Sequence, residues 1–310
     1  MLAYLLKRFL SMLITLWLIV SITFFLMHTV PGSPFDREGR AMPATVEKNL
    51  MALYSLDKPL LVQYAAYLKS LVQFELGPSI IRHPETVNSM LARTFPVSAK
   101  LGFAALFISI IAGVSLGVVA ALRHNRLIDY AATVFAVIGI AVPNFVVAPL
   151  LIKYFAVEWK LLPAATWGTW QHVVLPALAL SFGPTAIIAR LTRTSMLEVL
   201  TQEYIETAKA KGLHPAVIIV KHALRNSLLP VITLLGALVA NVLTGSFVIE
   251  KIFAIPGMGK YFVDSIYNRD YTVIMGTTVF YSILLIVMMF VVDVVYSLID
   301  PRIKLHKKEG

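Results

Sequence analysis

Thr201-Gln-Glu-Tyr-Ile-Glu-Thr-Ala-Lys-Ala-Lys-Gly212 is the most polar part of a basic, sparsely apolar loop that runs from about Arg190 to Arg225. Uncharged apolar runs flank it, Val173 to Ala189 before and Leu228 to Val248 after. A helix needs about 20 apolar residues to cross a bilayer, so the loop reads as the connection between two membrane spans. Thr201 is placed to cap a short helix. Glu203 and Glu206 fall early in it, where the helix dipole favours acids, and Lys209 and Lys211 towards its end. Gly212 stops it, because glycine accepts the left-handed backbone of a helix end. Leu213-His214-Pro215 then turns the chain, and a second amphipathic helix with His222 leads back to Pro230. A solvated connector accounts for these charges. A helix–glycine–helix standing off a membrane also suits a socket on a soluble partner.

Outward from this loop lie four further runs: Phe9 to Val30, Leu101 to Leu122, Tyr130 to Phe155 and Val273 to Ile299. Hydrophobic residues make up 58% of the 310-residue chain, against about 45–50% apolar in a soluble domain. The expected fold is all-α, a polytopic membrane protein with about six transmembrane helices. Phe9 to Val30 is longer than the apolar core of a signal peptide and reads as a retained anchor. Pro176 and Pro184 interrupt the run at Val173, which is kept because its loss would put the flanking loops on the wrong sides.

Lysine and arginine set the orientation. Lys7, Arg8, Arg123, Arg126, Arg190, Arg193, Lys209, Lys211, Lys221, Arg225, Arg302, Lys304, Lys307 and Lys308 share one side if both termini are cytoplasmic. The net charge of +10 therefore marks inner loops and anionic lipid, not nucleic acid. With no cysteine in the chain, disulfides and thiolate metal sites are excluded.

The expected organisation is residues 1–30 as the amino-terminal end and first span, and 31–96 as an extracytoplasmic helical segment. Residues 97–300 form the transmembrane body, with the inner loop at about 190–228, and 301–310 a cytoplasmic tail. Within 31–96, Val46 to Tyr54 and Pro59 to Phe74 carry apolar side chains at helical spacing and read as a cap, either a lid or a docking platform. A second outer element joins Glu250 to Tyr271. Pro256-Gly257 suits the centre of a type II turn, and Tyr261 to Tyr271 a short helix ending at Asn268-Arg269-Asp270. Pro256, Gly257, Gly259, Arg269 and Asp270 are its candidate gate or docking residues, against a plain hairpin.

Catalytic chemistry is not legible. Ionisable groups at membrane depth are costly and mark function, yet Asp293 is a lone acid late in the last span. No zinc-protease motif, carboxylate pair or P-loop occurs, so no catalytic or metal residue is assigned. The spans instead carry small and mildly polar residues. Gly113-Val114-Ser115-Leu116-Gly117 is a close-packing face. Pro143, Asn144, Asn241, Thr244 and Ser246 are candidates to line a polar route, or to serve packing alone.

Glu206-Thr-Ala-Lys-Ala-Lys-Gly212 resembles the conserved loop of ABC-importer permeases: a glutamate, two small residues, three others, then glycine. Thr207 stands where the first small residue is usually alanine. The longer closing segment, His222 to Pro230, is similar to the peptide and nickel importer branch. So are Pro31 to Phe35, Leu56 to Leu60, Phe95 to Ser98, Ala189 to Arg193, Phe253 to Gly259, Asn268 to Tyr271 and Asp300 to Arg302. Pro31 to Phe35 and Phe74 to Ser79 look most like the oligopeptide type.

The resemblance implies the type I ABC importer permease fold and a place in the bacterial inner membrane. It implies partners: a second homologous permease, two ABC ATPase subunits that bind ATP and magnesium, and an extracytoplasmic binding protein that delivers oligopeptide. This chain would itself hold no cofactor. Glu203, Glu206, Thr207, Ala208, Lys211, Gly212 and His222 would then belong to the ATPase-coupling element. Dipeptides, nickel, glutathione or antimicrobial peptides are alternative cargoes, and an ion-coupled secondary transporter is the alternative from another class.

Overall fold

Eleven helices are described in the computed structural model, which covers residues 2–29, 51, 57–82 and 84–299. They are α1 (Leu2–Thr29), α2 (Leu60–Val72), α3 (Val87–Leu122), α4 (Leu127–Ala141) and α5 (Asn144–Leu151). There follow α6 (Gln171–Leu200), α7 (Glu203–Ala210), α8 (Pro215–Ser227), α9 (Leu229–Ile252), α10 (Met258–Asn268) and α11 (Tyr271–Ile299). Two stretches are π-helical: Ile152–Glu158, which extends α5, and Ile218–Leu224 within α8. Pro31 to Phe35, most of Val46 to Tyr54, and 300–310 lie outside the described residues, as do the side chains of Asn241, Thr244 and Asp293.

Among the described helices α1, α3, α6 and α11 are each long and apolar enough to cross a membrane. The other two expected spans are bent pairs. The chain turns by 107° between α4 and extended α5, and by 51° between α8 and α9. The run from Tyr130 to Phe155, expected as one helix, is therefore broken at its middle. Pro143 is the cause: a residue before proline is driven out of the helical region, and Val142 sits at φ −90°, ψ 118°. Pro143 itself then opens α5.

The backbone forms two compact units. The first comprises residues 1–96 and 257–286, the second 97–256 and 287–310.

In the first unit α2 packs along the later turns of α1. The Ser21 and Tyr64 hydroxyls lie 2.5 Å apart, and His28 Nε2 meets Gln63 Oε1 at 3.1 Å. Phe24 fits between them, its ring 5.3 Å from Tyr64 and 5.8 Å from Tyr67. The helix expected as a surface cap is thus laid against the first span. Val87, Met90, Leu91, Met258 and Val273 form the core of this unit. Gly276 lets α11 approach closely, since a Cβ there would lie 2.7 Å from Val87 Cγ1.

The second unit is built round α6, whose buried residues recur from Leu175 to Met196 despite Pro176 and Pro184. Lipid tails are as apolar as leucine, so close contact and not hydrophobicity must hold such helices together. A Cβ at Gly113 would lie 2.7 Å from Ile188 Cβ, and one at Gly117 2.6 Å from the Ala189 carbonyl oxygen. The close-packing face of α3 therefore meets α6. From α4, a Cβ at Gly139 would lie 2.5 Å from Ala186 Cβ.

Candidate functional site

The polar loop folds as α7, a turn at Gly212, and α8. Thr201 does not cap α7: its hydroxyl donates to the Glu198 carbonyl at 2.8 Å, and extended Gln202 occupies the cap position without a side-chain bond. Ile205 and Ala208 face inward and pack with Ala121, Met196, Ile218 and Ala223. This seats α7 on the ends of α3 and α6. Glu203, Glu206, Thr207 and Lys211 face outward. Lys209 donates to Glu206 at 2.7 Å, an exposed pair worth at most about 1 kcal/mol. The Thr207 hydroxyl donates back to the Glu203 carbonyl at 3.0 Å.

Gly212 has φ +72°, and nothing lies within 4 Å of where its Cβ would be. The backbone asks for glycine; the space within this chain does not. His214 Nδ1 accepts from the Ala216 amide at 3.3 Å and caps α8. Asn226 Nδ2 donates to the Tyr204 hydroxyl at 2.8 Å, tying α8 to α7. His222 is half-buried on α8.

Sequence reasoning missed a charged pair beside this loop. Asp129, in the first turn of α4, is 1% exposed. Arg193 on α6 grips it at two points, Nε to Oδ1 and Nη2 to Oδ2, the latter at 2.8 Å. The signal was an acid three positions past Arg126, immediately before the apolar run that starts at Tyr130.

The candidate route residues fall differently. Pro143 and Asn144 stand at the break between α4 and α5, Pro143 exposed and Asn144 half-buried. Ser246 on α9 is 2% exposed. Asn241 and Thr244 belong to the same helix by backbone.

The outer turn departs from expectation. Gly257 has φ −93°, ψ −175°, an extended backbone that opens α10, so Pro256-Gly257 is not a type II turn. The left-handed residue is Ala254, at φ 51°. Pro256 is exposed, whereas Gly257 and Gly259 are buried. The short helix starts at Met258, ahead of Tyr261, and ends on Arg269 at φ 55°. Asp270 is buried. It accepts from the Ser79 hydroxyl, from the amides of Ile80 at 3.2 Å and Ile81 at 3.4 Å, and from Val273 at 3.3 Å. An acid so enclosed fastens residues 79–81 to the start of α11 and offers nothing to an outside partner. Among the described residues no group of three or more metal-ligating side chains occurs.

The family of inner membrane components of binding-protein-dependent transport systems matches residues 113–305, and the amino-terminal domain of such membrane components matches residues 1–101. The chain belongs to this family. It is 63% identical over 305 residues to the dipeptide transport system permease protein DppB of Bacillus subtilis (strain 168), covering 98% of this chain and 99% of that protein. It is 45% identical over 306 residues to the oligopeptide transport system permease protein OppB of Salmonella typhimurium, covering 98% and 100%. The inward-facing MetNI methionine ABC transporter matches with a TM-score of 0.57 at 19% identity, over 71% of this chain and 100% of that one. That likeness concerns the fold, which is the type I ABC importer permease fold. The chain is thus a multi-pass inner-membrane permease of the OppB/DppB type. Permeases of this family work with ATPase, permease and substrate-binding partners.

Proposed function

We propose that this permease forms half of a translocation pathway for peptides and that α7 with its Gly212 turn docks on an ATPase subunit. Near full-length identity to two peptide permeases carries the substrate class. The exposed Glu203, Glu206 and Lys211 around an open glycine support the docking role, because a surface that leaves space at a glycine suits close approach by another chain. ATP and magnesium bind in two ATPase partners, and this subunit is non-catalytic. A second homologous permease completes the pathway, and an extracytoplasmic binding protein delivers the peptide. Both termini face the cytoplasm, which puts the arginine- and lysine-rich loops on the inner side.

Cargo has two readings. Oligopeptide follows from Phe74 to Ser79 and the related segments; the higher identity to a dipeptide permease favours dipeptides. Co-expression with the neighbouring subunits, then ATP-dependent uptake of labelled peptides of two to five residues into vesicles, tests both. Accumulation of at least one length supports the assignment. Uptake of nickel, or of γ-linked glutathione alone, with no uptake of any α-linked peptide would overturn it.

A further inference from the structure

Asp129 and Arg193 are separated by 64 positions, yet they form a two-point contact at the loop end of the second unit, with Asp129 buried and the Arg193 side chain a quarter exposed. Further groups converge on the same carboxylate. The Asn125 amide donates to Oδ2 at 2.9 Å, and His124 Nδ1 lies 3.2 Å from it. Asp129 is thus held by the turn before α4 as well as by α6.

Arg193 sits about two turns before α6 ends. One turn on, Met196 packs into the cluster that seats Ile205 and Ala208 of α7. The face of α6 that carries Arg193 therefore continues into the seat of α7. Further along, Gly139 of α4 touches Ala186 of α6. Helix α4 is fixed to α6 in two places, by close apolar contact within the apolar run and by a charged fork beside the loop.

A contact needed only for folding would be served as well by apolar packing, since burying a carboxylate is costly even when it is paired. What the guanidinium–carboxylate fork adds is orientation, through two parallel bonds that resist rotation. We propose that Asp129 and Arg193 are positioning residues that lock α4 to α6, so that displacement of α7 by an ATPase carries α4, and with it the break at Pro143. The inference rests on the reading of α7 as the docking element.

Its test uses the complete importer, reconstituted with permease partner, ATPases and binding protein, and reads labelled peptide moved per ATP hydrolysed. Arg193→Lys keeps the charge and loses the fork. The double variant Asp129→Asn with Arg193→Gln leaves an amide pair and no buried charge. Both are expected to assemble at wild-type yield and to hydrolyse ATP, while peptide moved per ATP falls at least tenfold. A wild-type ratio in either variant overturns the inference, because charge balance or packing would then suffice. Failure of the double variant to assemble also overturns it, since the pair would then be holding the fold. Gly212→Trp in the same system separates the two ideas. Normal ATPase recovery and uptake with Gly212→Trp sinks the docking reading itself. Loss of the ATPases there, beside a normal ratio in the pair variants, sinks this inference alone.

Discussion

The Tyr204 hydroxyl accepts a hydrogen bond from Asn226 at 2.8 Å, so that the first turn of α7 is fastened to the last turn of α8 across the whole polar loop. Apolar contacts of Ile205 and Ala208 seat α7 from below, and this bond closes it from the side. Such a neutral bond contributes about 0.5–1.5 kcal/mol, less where water competes. Tyr204→Phe should leave the amount of protein in the membrane unchanged and raise the rate of proteolytic cleavage within 201–225 severalfold. An unchanged cleavage rate would show that the seat alone orders the loop.

At Gly212 the backbone and the surroundings make separate demands. A left-handed backbone costs a residue with a Cβ about 1–2 kcal/mol, but within the chain that Cβ would touch nothing. Gly212→Asn, which tolerates this backbone, should therefore keep normal membrane levels and most of the uptake. Gly212→Trp should keep membrane levels and lose the co-purifying ATPases. Equal ATPase recovery from both variants would remove the steric argument.

Gly117 is the opposite case. Any Cβ there lies 2.6 Å from a carbonyl oxygen of α6, and backbone cannot move aside as a side chain can. Gly117→Leu should lower the amount of folded protein several-fold, consistent with overpacking costs of about 1–3 kcal/mol. Gly168→Ala, with open space around it, should have no effect. Thermal aggregation of detergent extracts checks both.

Asp270 should behave as a strut. Asp270→Ala leaves the Ser79 hydroxyl and the amides of Ile80 and Val273 without their acceptor. Bonds to charged groups contribute about 1.5–3 kcal/mol each, so thermal stability should fall markedly. Peptide moved per ATP, corrected for the amount of intact complex, should be unchanged for Asp270→Asn. A lower ratio at full stability would restore this residue to the outer gate.

Much of this was legible from the chain because the underlying signals are local. Apolar runs, the glycine face at Gly113 and Gly117, and the polar helix ending at Gly212 each declare themselves within a few residues. The break at Pro143 was visible as a proline, yet proline inside α6 bends nothing comparable, and only the neighbours decide which outcome holds. Pro256-Gly257 misled because the dipeptide is compatible with a type II turn without requiring one. Asp270 is a candidate gate or docking residue by its polar neighbours in sequence, whereas its Ser79 partner is 191 positions away. Arg193 enters the sequence reading as an inner-loop cation and as the end of the Ala189 to Arg193 resemblance, but no pattern in one sequence reveals a partner 64 positions distant.

Contact between α7 and an ATPase is directly measurable, because the chain has no cysteine. With Lys211→Cys the only thiol of this chain, a short thiol–amine cross-linker applied to the assembled importer should join this permease to an ATPase subunit. Lys260→Cys, on α10, which the proposed orientation puts on the outer side of the membrane, should give no such product. An ATPase adduct from position 260, or none from position 211 in a complex that retains its ATPases, would contradict the assignment of the Gly212 turn.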